Sequence, residues 1–314
     1  MRGTVARRLA VGVVQLAVLL VLVFLLSLAL PGDAADVQAG DLLGAGERAH
    51  ARHLLGLDVS PVTRFLHWLG HVVTGDLGTS YAGGRPVVDV IAGPFAVTGL
   101  LAALTLVLLV PLATAAGFAA GLAPGSLRDR AITTAAVALD SVPDFVLAVL
   151  LVAYVAIGLG LFPATFLGTD LRTLVTDPRY LVLPLTVLVV RVAAPLVRLV
   201  RAGVVDVLGT PYIAQAVRLG TPRRSLLLRH VAPNAVGPAL QELGRTGDGL
   251  LSGVLIVEAV FVLPGVARTL LDAIGNRDQP VVLAIVLCTG VAAILVNLVI
   301  DLIGQRLVPR RWRA

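Results

Sequence analysis

The chain has 314 residues, of which 57% are hydrophobic and 14% are charged, and its mean hydropathy is +0.94. Soluble domains carry about a quarter charged residues, so this composition excludes an ordinary water-soluble core and predicts an integral membrane protein. All of the basic residues behind the formal net charge of +6 are arginines, because the sequence contains no lysine. A P-loop nucleotide site and Schiff-base catalysis both require a lysine, so this chain forms neither. If ATP drives its work, the ATPase is another polypeptide.

The first predicted membrane helix is Leu9–Leu30, which follows Arg7 and Arg8 and is free of charged residues. A spanning helix needs about 20 apolar residues, whereas the hydrophobic region of a secretory signal usually has about 7–15. The length of the run therefore favours a retained helix at 1–30 over a cleaved signal peptide, even though the sequence Asp33-Ala34-Ala35 weakly resembles a cleavage site.

Residues 31–96 are predicted to form an external segment. The hydrophobic pattern indicates two short helices in it, around Glu47–Leu57 and Pro61–Val73. The segment therefore has some structure of its own.

The histidines of this segment could indicate a metal site. His67 and His71 are four residues apart, which is the spacing of metal ligands on a helix, and His50 and His53 are close in sequence. No acid or cysteine completes a site with them, and exposed helical histidines are commoner than ligands, so no metal is predicted. The single Cys288 permits no intrachain disulfide and is interpreted as a small apolar residue.

Five further membrane spans follow from the hydropathy pattern. They are Val97–Leu122, Ala131–Leu159, Tyr180–Val200, Ala235–Leu263 and the 22 uncharged residues between Asp278 and Asp301. With the first helix they give an all-α polytopic membrane protein with six transmembrane helices. The core is predicted to occupy 97–305, with a loop at 201–234 between the fourth and fifth spans and a basic tail at 306–314.

The arginines predict the orientation of these spans. With the N-terminus in the cytoplasm, fifteen arginines fall on the cytoplasmic side and eight on the external side. The positive-inside rule therefore places both termini and the 201–234 loop in the cytoplasm. The same asymmetry explains the basic composition without a nucleic-acid partner.

The 201–234 loop contains an alanine-rich helical stretch from Tyr212, then Gly220, then a second stretch that ends at Asn234. A glycine adopts positive φ readily, so a sharp turn is expected at Gly220, and Pro222 suits the first turn of the next helix. Ala214 and Ala216 offer a low-profile helix surface to a partner. The spacing alone supports an ordinary helical hairpin with solvated basic faces equally well.

This loop resembles the "EAA" loop of bacterial ABC-importer permeases, although Ala214 and Gln215 stand where an acid is often found. Further stretches resemble the dipeptide/oligopeptide/nickel permeases of that family in the same order along the chain. They are Gly75-Asp-Leu-Gly-Thr-Ser80, Gly84-Arg-Pro-Val87, Val142-Pro-Asp-Phe145, Val257-Glu-Ala-Val-Phe261, Pro264-Gly265, Asp278-Gln-Pro-Val-Val282 and Asn297-Leu-Val-Ile-Asp301. The resemblance covers nearly the whole chain and is strongest to the subunit type with a long external segment after the first span.

The resemblance implies a type I importer permease fold in the bacterial cytoplasmic membrane, with a homologous permease, two ABC ATPase subunits and an external solute-binding protein as partners. ATP and Mg²⁺ then belong to the ATPase subunits, and this chain is not catalytic and binds no cofactor. The implied solutes are peptides or related small polar molecules, among them nickel chelates. The implied ATPase-coupling residues are Tyr212, Ala214, Gln215, Ala216, Gly220, Arg223, Arg224, His230 and Asn234.

Charged residues inside or beside the spans are a second group of candidates. A charge at mid-bilayer costs about 2.5–3.5 kcal/mol on the insertion scale, so these side chains are not expected to face lipid. They either line an aqueous path for the solute or form ion pairs that fix helix packing, and the sequence leaves both readings open. The residues are Asp140, Asp144, Arg191, Glu242, Arg245 and Asp248.

A different function would be ion-coupled secondary transport, with the same intramembrane acids carrying protons. Such carriers often contain inverted repeats, and none is evident in this sequence. An intramembrane enzyme is a third class, but no paired catalytic constellation stands out.

Overall fold

The computed structural model describes residues 2–39, 44–167 and 171–307. Within these ranges every regular element is helical, and the only β-type pairing is an isolated antiparallel bridge between Thr79 and Pro86. The all-α class expected from the sequence is confirmed.

The helices are numbered in chain order. They are α1 (Arg2–Ala29), α2 (Ala34–Ala39), α3 (Ala45–Leu54), α4 (Pro61–Val73), α5 (Val87–Gly121), α6 (Leu127–Asp140), α7 (Asp144–Leu150), α8 (Leu171–Thr176), α9 (Arg179–Leu208), α10 (Pro211–Arg218), α11 (Arg223–Ser225), α12 (Ala232–Phe261), α13 (Val266–Gly275) and α14 (Gln279–Leu307). Two π-helical turns, Leu151–Gly158 and Leu226–Val231, continue α7 and α11.

Four helices of the described part are long and apolar enough to cross a membrane: α1, α5, α9 and α14. Two bent pairs raise the number to six if each pair is one span. One is α6 with α7 and its π-helical turn, bent by 100°, and the other is the end of α12 with α13. A polytopic protein is therefore confirmed, and α12 covers most of the fifth predicted span by itself.

The third predicted span is not one continuous helix. α6 ends at Asp140 and α7 begins at Asp144, so Ala131–Leu159 was wrong as a single element. Pro143 disfavours helical φ and ψ at the residue before it, and the Asp144 carboxylate suits the positive N-terminus of a new helix.

Other boundaries also differ from the predicted ones. α5 begins at Val87, ten residues before the predicted start at Val97, with Asp89 in its first turn. An acid in the first turn is favourable to a helix, so the charge does not end it. α2 was not predicted at all, whereas the helix expected at Pro61–Val73 is found with those bounds.

The chain forms two compact units. The first comprises Met1–Thr98 and Pro264–Leu295, and the second comprises Gly99–Leu263 and Val296–Ala314. The predicted tail at 306–314 lies mostly outside the described residues, which end at 307.

In the first unit, α1 packs on α14 at a glycine and on α4 through an aromatic cluster. A Cβ atom built on Gly290 would lie 2.5 Å from Leu16 Cδ1, so the two helices approach closely at a glycine. Phe24 of α1 stacks on Phe65 of α4 with ring centroids 4.6 Å apart, beside the buried Trp68. The segment that follows α1 is thus anchored to it by apolar contact.

In the second unit, α9 is the central helix, and α5, α6 and α12 all pack on it. A Cβ atom on Gly117 would lie 2.6 Å from Val200 Cβ, and one on Gly203 would lie 2.6 Å from the carbonyl oxygen of Ala235. Glycines let membrane helices approach closely, and here they seat α9 between α5 and α12.

Candidate functional site

The 210–234 segment connects α9 to α12 and has the helix–turn–helix form expected from the sequence. Pro211 occupies the first turn of α10, where its missing N–H is not needed. The chain turns at Gly220, and Pro222 precedes α11 as its N-cap residue. The π-helical turn at Leu226–Val231 then leads directly into α12. The segment is therefore helical for most of its length.

Gly220 makes the turn possible through its backbone conformation. Its φ is +76°, in the left-handed region that favours glycine. No atom lies within 4 Å of the position that a Cβ would occupy. The requirement for glycine is thus conformational, and a larger side chain would not clash there.

The inner face of the segment belongs to the core of the second unit. Ile213 of α10, Leu226 and Val231 are buried in one cluster with Val200 and Val204 of α9. Ala235 and Ala239 of α12 complete this cluster. The segment is therefore packed onto the helices at both of its ends.

The outer face of the segment is rich in exposed side chains. Four large hydrophobic or aromatic residues are more than half exposed there, namely Tyr212, Val217, Leu219 and Leu228. Ala214, Gln215, Arg223 and Arg224 are exposed as well. Ala216 differs from the expectation of a common low-profile surface, because it is half-buried and packs on the inner cluster.

His230 is held within the segment. Its Nδ1 shares a hydrogen bond with the Tyr212 hydroxyl, and the two rings are edge to face with centroids 5.5 Å apart. The Asn234 side-chain amide donates to the His230 carbonyl oxygen at 2.7 Å. The resemblance implies a coupling role for His230, and in the structure its Nδ1 is engaged in closing α10 onto the following turn.

Asp144 and Arg191 are brought together inside the second unit. The Arg191 guanidinium donates to the Asp144 carboxylate, whose side chain is 7% exposed. Asp144 lies at the break between α6 and α7, and Arg191 lies in the middle of α9. Gly253 of α12 faces this pair, since a Cβ there would lie 3.0 Å from Arg191 Cδ. Three elements thus meet at one ion pair, in which the carboxylate is buried and the guanidinium is one-third exposed.

The remaining candidate charges are not joined to this pair in the described part of the chain. Asp140 Oδ2 lies 4.0 Å from Arg198 Nη2, and both side chains are substantially exposed. Glu242, Arg245 and Asp248 belong to α12, but the structure does not describe their side chains.

A second buried ion pair was not predicted. Arg201 of α9 donates through Nε to Asp129 Oδ1 at 2.5 Å and through Nη2 to Asp129 Oδ2 at 2.7 Å. The Asp129 side chain is only 4% exposed. In the sequence Asp129 lies between Arg128 and Arg130, which favours an interpretation as a solvated loop acid, so its partner in α9 could not be identified.

The loop at 74–86 in the first unit is fixed by Asp278. That carboxylate accepts hydrogen bonds from the Ser80 hydroxyl, from the Tyr81 N–H at 3.0 Å and from the Ala82 N–H at 3.2 Å. Burial raises the pKa of the Tyr81 phenol, against the opposing effect of Arg64. The two sequence stretches are far apart in the chain, and the sequence does not predict their contact.

The described residues contain no group of three or more His, Cys, Asp and Glu side chains that could hold a metal ion. His71 Nδ1 lies 3.9 Å from Asp76 Oδ2, which is too long for a hydrogen bond.

Two family models match the chain. Residues 113–313 match the binding-protein-dependent transport system inner membrane component, and residues 1–102 match the N-terminal part of the binding-protein-dependent transport system membrane component. Curated relatives are similar over nearly their full length. The glutathione transport system permease proteins of Escherichia coli (strain K12) and of Salmonella typhi are each 35% identical over 309 residues, which is 98% of this chain and 98% of theirs.

Proposed function

This chain belongs to the family of binding-protein-dependent transport system inner membrane components, and from that premise we propose that it forms the uptake path for peptides or peptide-like solutes. It is the permease component of a binding-protein-dependent ABC transporter, and ATP hydrolysis is the work of a separate subunit. The relatives named for glutathione transport, at 35% identity, support a short peptide as the solute. Nickel chelates are retained in this proposal as a second class of solute.

The 210–234 segment is proposed as the contact with the ATPase, and its surface is the observation that carries this assignment. Its inner residues are buried in the core of the unit, while Tyr212, Val217 and Leu219 are exposed on its outer face. An exposed apolar patch beside arginines suits a protein partner better than solvent. The residues proposed for this contact are those of the predicted coupling loop, with Ala216 supporting them from the inner face.

The proposed complex contains a homologous second permease, two ATPase subunits that bind ATP and Mg²⁺, and an external solute-binding protein. Both termini and the 210–234 segment are proposed to be cytoplasmic, since the arginines are concentrated on that side. The complex resides in the bacterial inner membrane. A single permease presents one set of spans, and a second one would complete the path for the solute.

The path itself is proposed to include Glu242, Arg245 and Asp248 of α12 together with Asp140. Asp144 and Arg191 are better suited to a supporting role, because they are directly hydrogen-bonded and the Asp144 carboxylate is buried, whereas Asp140 lies 4.0 Å from Arg198 and is exposed. If Asp144 and Arg191 bound a charged solute, that solute would first have to break their ion pair. The ion-coupled alternative has no support from the family, whose transport depends on a binding protein and ATP.

Reconstitution tests the solute and the energy source. The complex is placed in proteoliposomes with its binding protein, and uptake of labelled glutathione and of a labelled dipeptide is measured with and without ATP. Uptake of at least one probe that requires both ATP and the binding protein is expected. Uptake driven by a proton gradient without ATP would contradict the proposal.

Cross-linking tests the ATPase contact and the orientation. Cys288 is the only cysteine, so Cys288→Ala gives a cysteine-free background for single cysteines. The cysteine of Val217→Cys should cross-link to the ATPase. Its thiol should be blocked only by reagents that reach the cytoplasm. Val73→Cys is the matched control, since Val73 of α4 is 84% exposed. Its thiol should react with reagents added from outside and should not cross-link to the ATPase. A cross-link at Val73 but not at Val217 would reverse the assignment.

A further inference from the structure

α9 leads directly into the 210–234 segment. It ends at Leu208, and α10 begins at Pro211 after Gly209 and Thr210. Arg201 lies in the last third of α9, close to the inner cluster formed by Val200, Val204 and the segment. Arg201 therefore lies on the helix that continues into the segment.

At this level α9 is tied to the start of α6 by the Asp129–Arg201 pair. Two parallel hydrogen bonds, of 2.5 and 2.7 Å, join the guanidinium to the carboxylate. Such a two-point contact fixes the angle between the groups as well as their distance. Asp129 Oδ2 also accepts the Gly125 N–H at 2.8 Å, so the turn before α6 is held by the same carboxylate.

Close backbone packing supports the same connection. A Cβ on Gly121, near the end of α5, would lie 2.9 Å from the Arg201 carbonyl oxygen. The end of α5, the turn at Gly125 and the start of α6 are thus all seated on α9 around Arg201. Each contact limits sliding of α6 along α9.

We propose that Asp129 and Arg201 are positioning residues for energy coupling, which make α6 move together with α9 and the 210–234 segment. The inference rests on the proposed function, since the segment must be the ATPase contact for this motion to matter. When the ATPase displaces the segment, the paired hydrogen bonds carry the displacement to α6, and from there to the break at Asp144.

The chain offers a matched control on the same two helices. Asp140 and Arg198 also join α6 to α9, but their nearest atoms are 4.0 Å apart and their side chains are 36% and 51% exposed. This pair lacks the fork geometry and the burial of Asp129–Arg201. Its loss should leave the movement of α6 unchanged.

The test measures whether α6 and the segment keep a fixed distance. In the Cys288→Ala background, spin labels are placed at Ala138→Cys on α6 and at Val217→Cys on α10. The assembled complex is examined by pulsed electron resonance without nucleotide and with ATP and vanadate. In the parent protein a narrow distance distribution with the same mean in both states is expected.

Arg201→Gln should broaden that distribution and shift its mean between the two states, while Arg198→Gln should not. Arg201→Lys is the second variant, because it keeps the charge on Asp129 neutralised and removes only the fork. It should assemble normally and still broaden the distribution. The complexes with Arg201→Gln and Arg201→Lys should still hydrolyse ATP, but they should transport severalfold less labelled glutathione for each ATP hydrolysed.

Two results overturn the inference. One is a parent distance that changes with nucleotide, and the other is an unchanged distribution in Arg201→Lys. Failure of the proposed function is recognised separately, because Val217→Cys would then give no cross-link to the ATPase in the parent complex. A cross-link that persists in Arg201→Lys with an unaltered distribution contradicts the positioning role alone.

Discussion

Ser80 and Asp278, which are 198 positions apart in the sequence, are joined by a hydrogen bond from the serine hydroxyl to the aspartate carboxylate. Asp278 is only 3% exposed, and its carboxylate also accepts hydrogen bonds from the backbone N–H groups of Tyr81 and Ala82. One side chain immediately before α14 therefore holds residues 80–82 of the 74–86 loop. Ala82 to Arg85 are presented at its exposed tip.

Asp278→Asn should loosen this loop. The amide keeps one acceptor oxygen for three donors, and leaving a buried donor such as the Ser80 hydroxyl unsatisfied costs about 1–3 kcal/mol. Hydrogen exchange should show faster exchange at Tyr81 and Ala82. Asp272→Asn is the control, since Asp272 is exposed and lies 3.9 Å from Arg268. Equal exchange rates at Tyr81 and Ala82 in both variants would contradict the proposal that Asp278 holds this loop.

Gly220→Val should impair coupling without preventing insertion into the membrane. A β-branched residue at φ +76° carries strain of about 1–3 kcal/mol. The turn should open, and co-purification of the ATPase or uptake of labelled glutathione should be lost. Gly220→Asn is the matched control, because asparagine tolerates the left-handed conformation. Full transport by the valine variant would show that the turn is dispensable.

Arg191→Gln should deplete the complex from the membrane. The change leaves the Asp144 carboxylate buried without its charge partner, and breaking a buried pair costs about 3–5 kcal/mol. The double variant Asp144→Asn with Arg191→Gln removes both charges and should restore assembly, as judged by the amount of purified complex. Restored assembly with restored uptake supports a structural pair. Restored assembly without uptake would place the pair in the solute path.

Gly203→Ala should destabilise the contact of α9 with α12. The new methyl group would lie 2.6 Å from the Ala235 carbonyl oxygen, and overpacking of this kind costs about 1–3 kcal/mol. The melting temperature of the purified complex should fall. Gly99→Ala in α5 is the control, because no atom lies within 4 Å of its Cβ position. A helical Gly→Ala change without a clash should be neutral or slightly stabilising.

The sequence by itself determined the class of the protein, its long helices and its family. Hydropathy decides these features because a membrane helix satisfies its own backbone hydrogen bonds, so a long apolar run has few alternatives. The turn at Gly220 and the helix at Pro61–Val73 were equally local, since glycine and proline restrict the backbone at their own positions. The sequence also identified Asp144 and Arg191 as candidates, without pairing them.

Only the tertiary structure decided which charges meet. Asp129 with Arg201 and Ser80 with Asp278 are distant in sequence, and no local pattern records a partner that another helix supplies. Pro143 and Asp144 are local signals for an interrupted helix, whereas the 100° bend between α6 and α7 is seen only in the tertiary structure. Apolar runs therefore predict where helices are, whereas the pairing of buried polar groups depends on how the helices and loops pack within each unit.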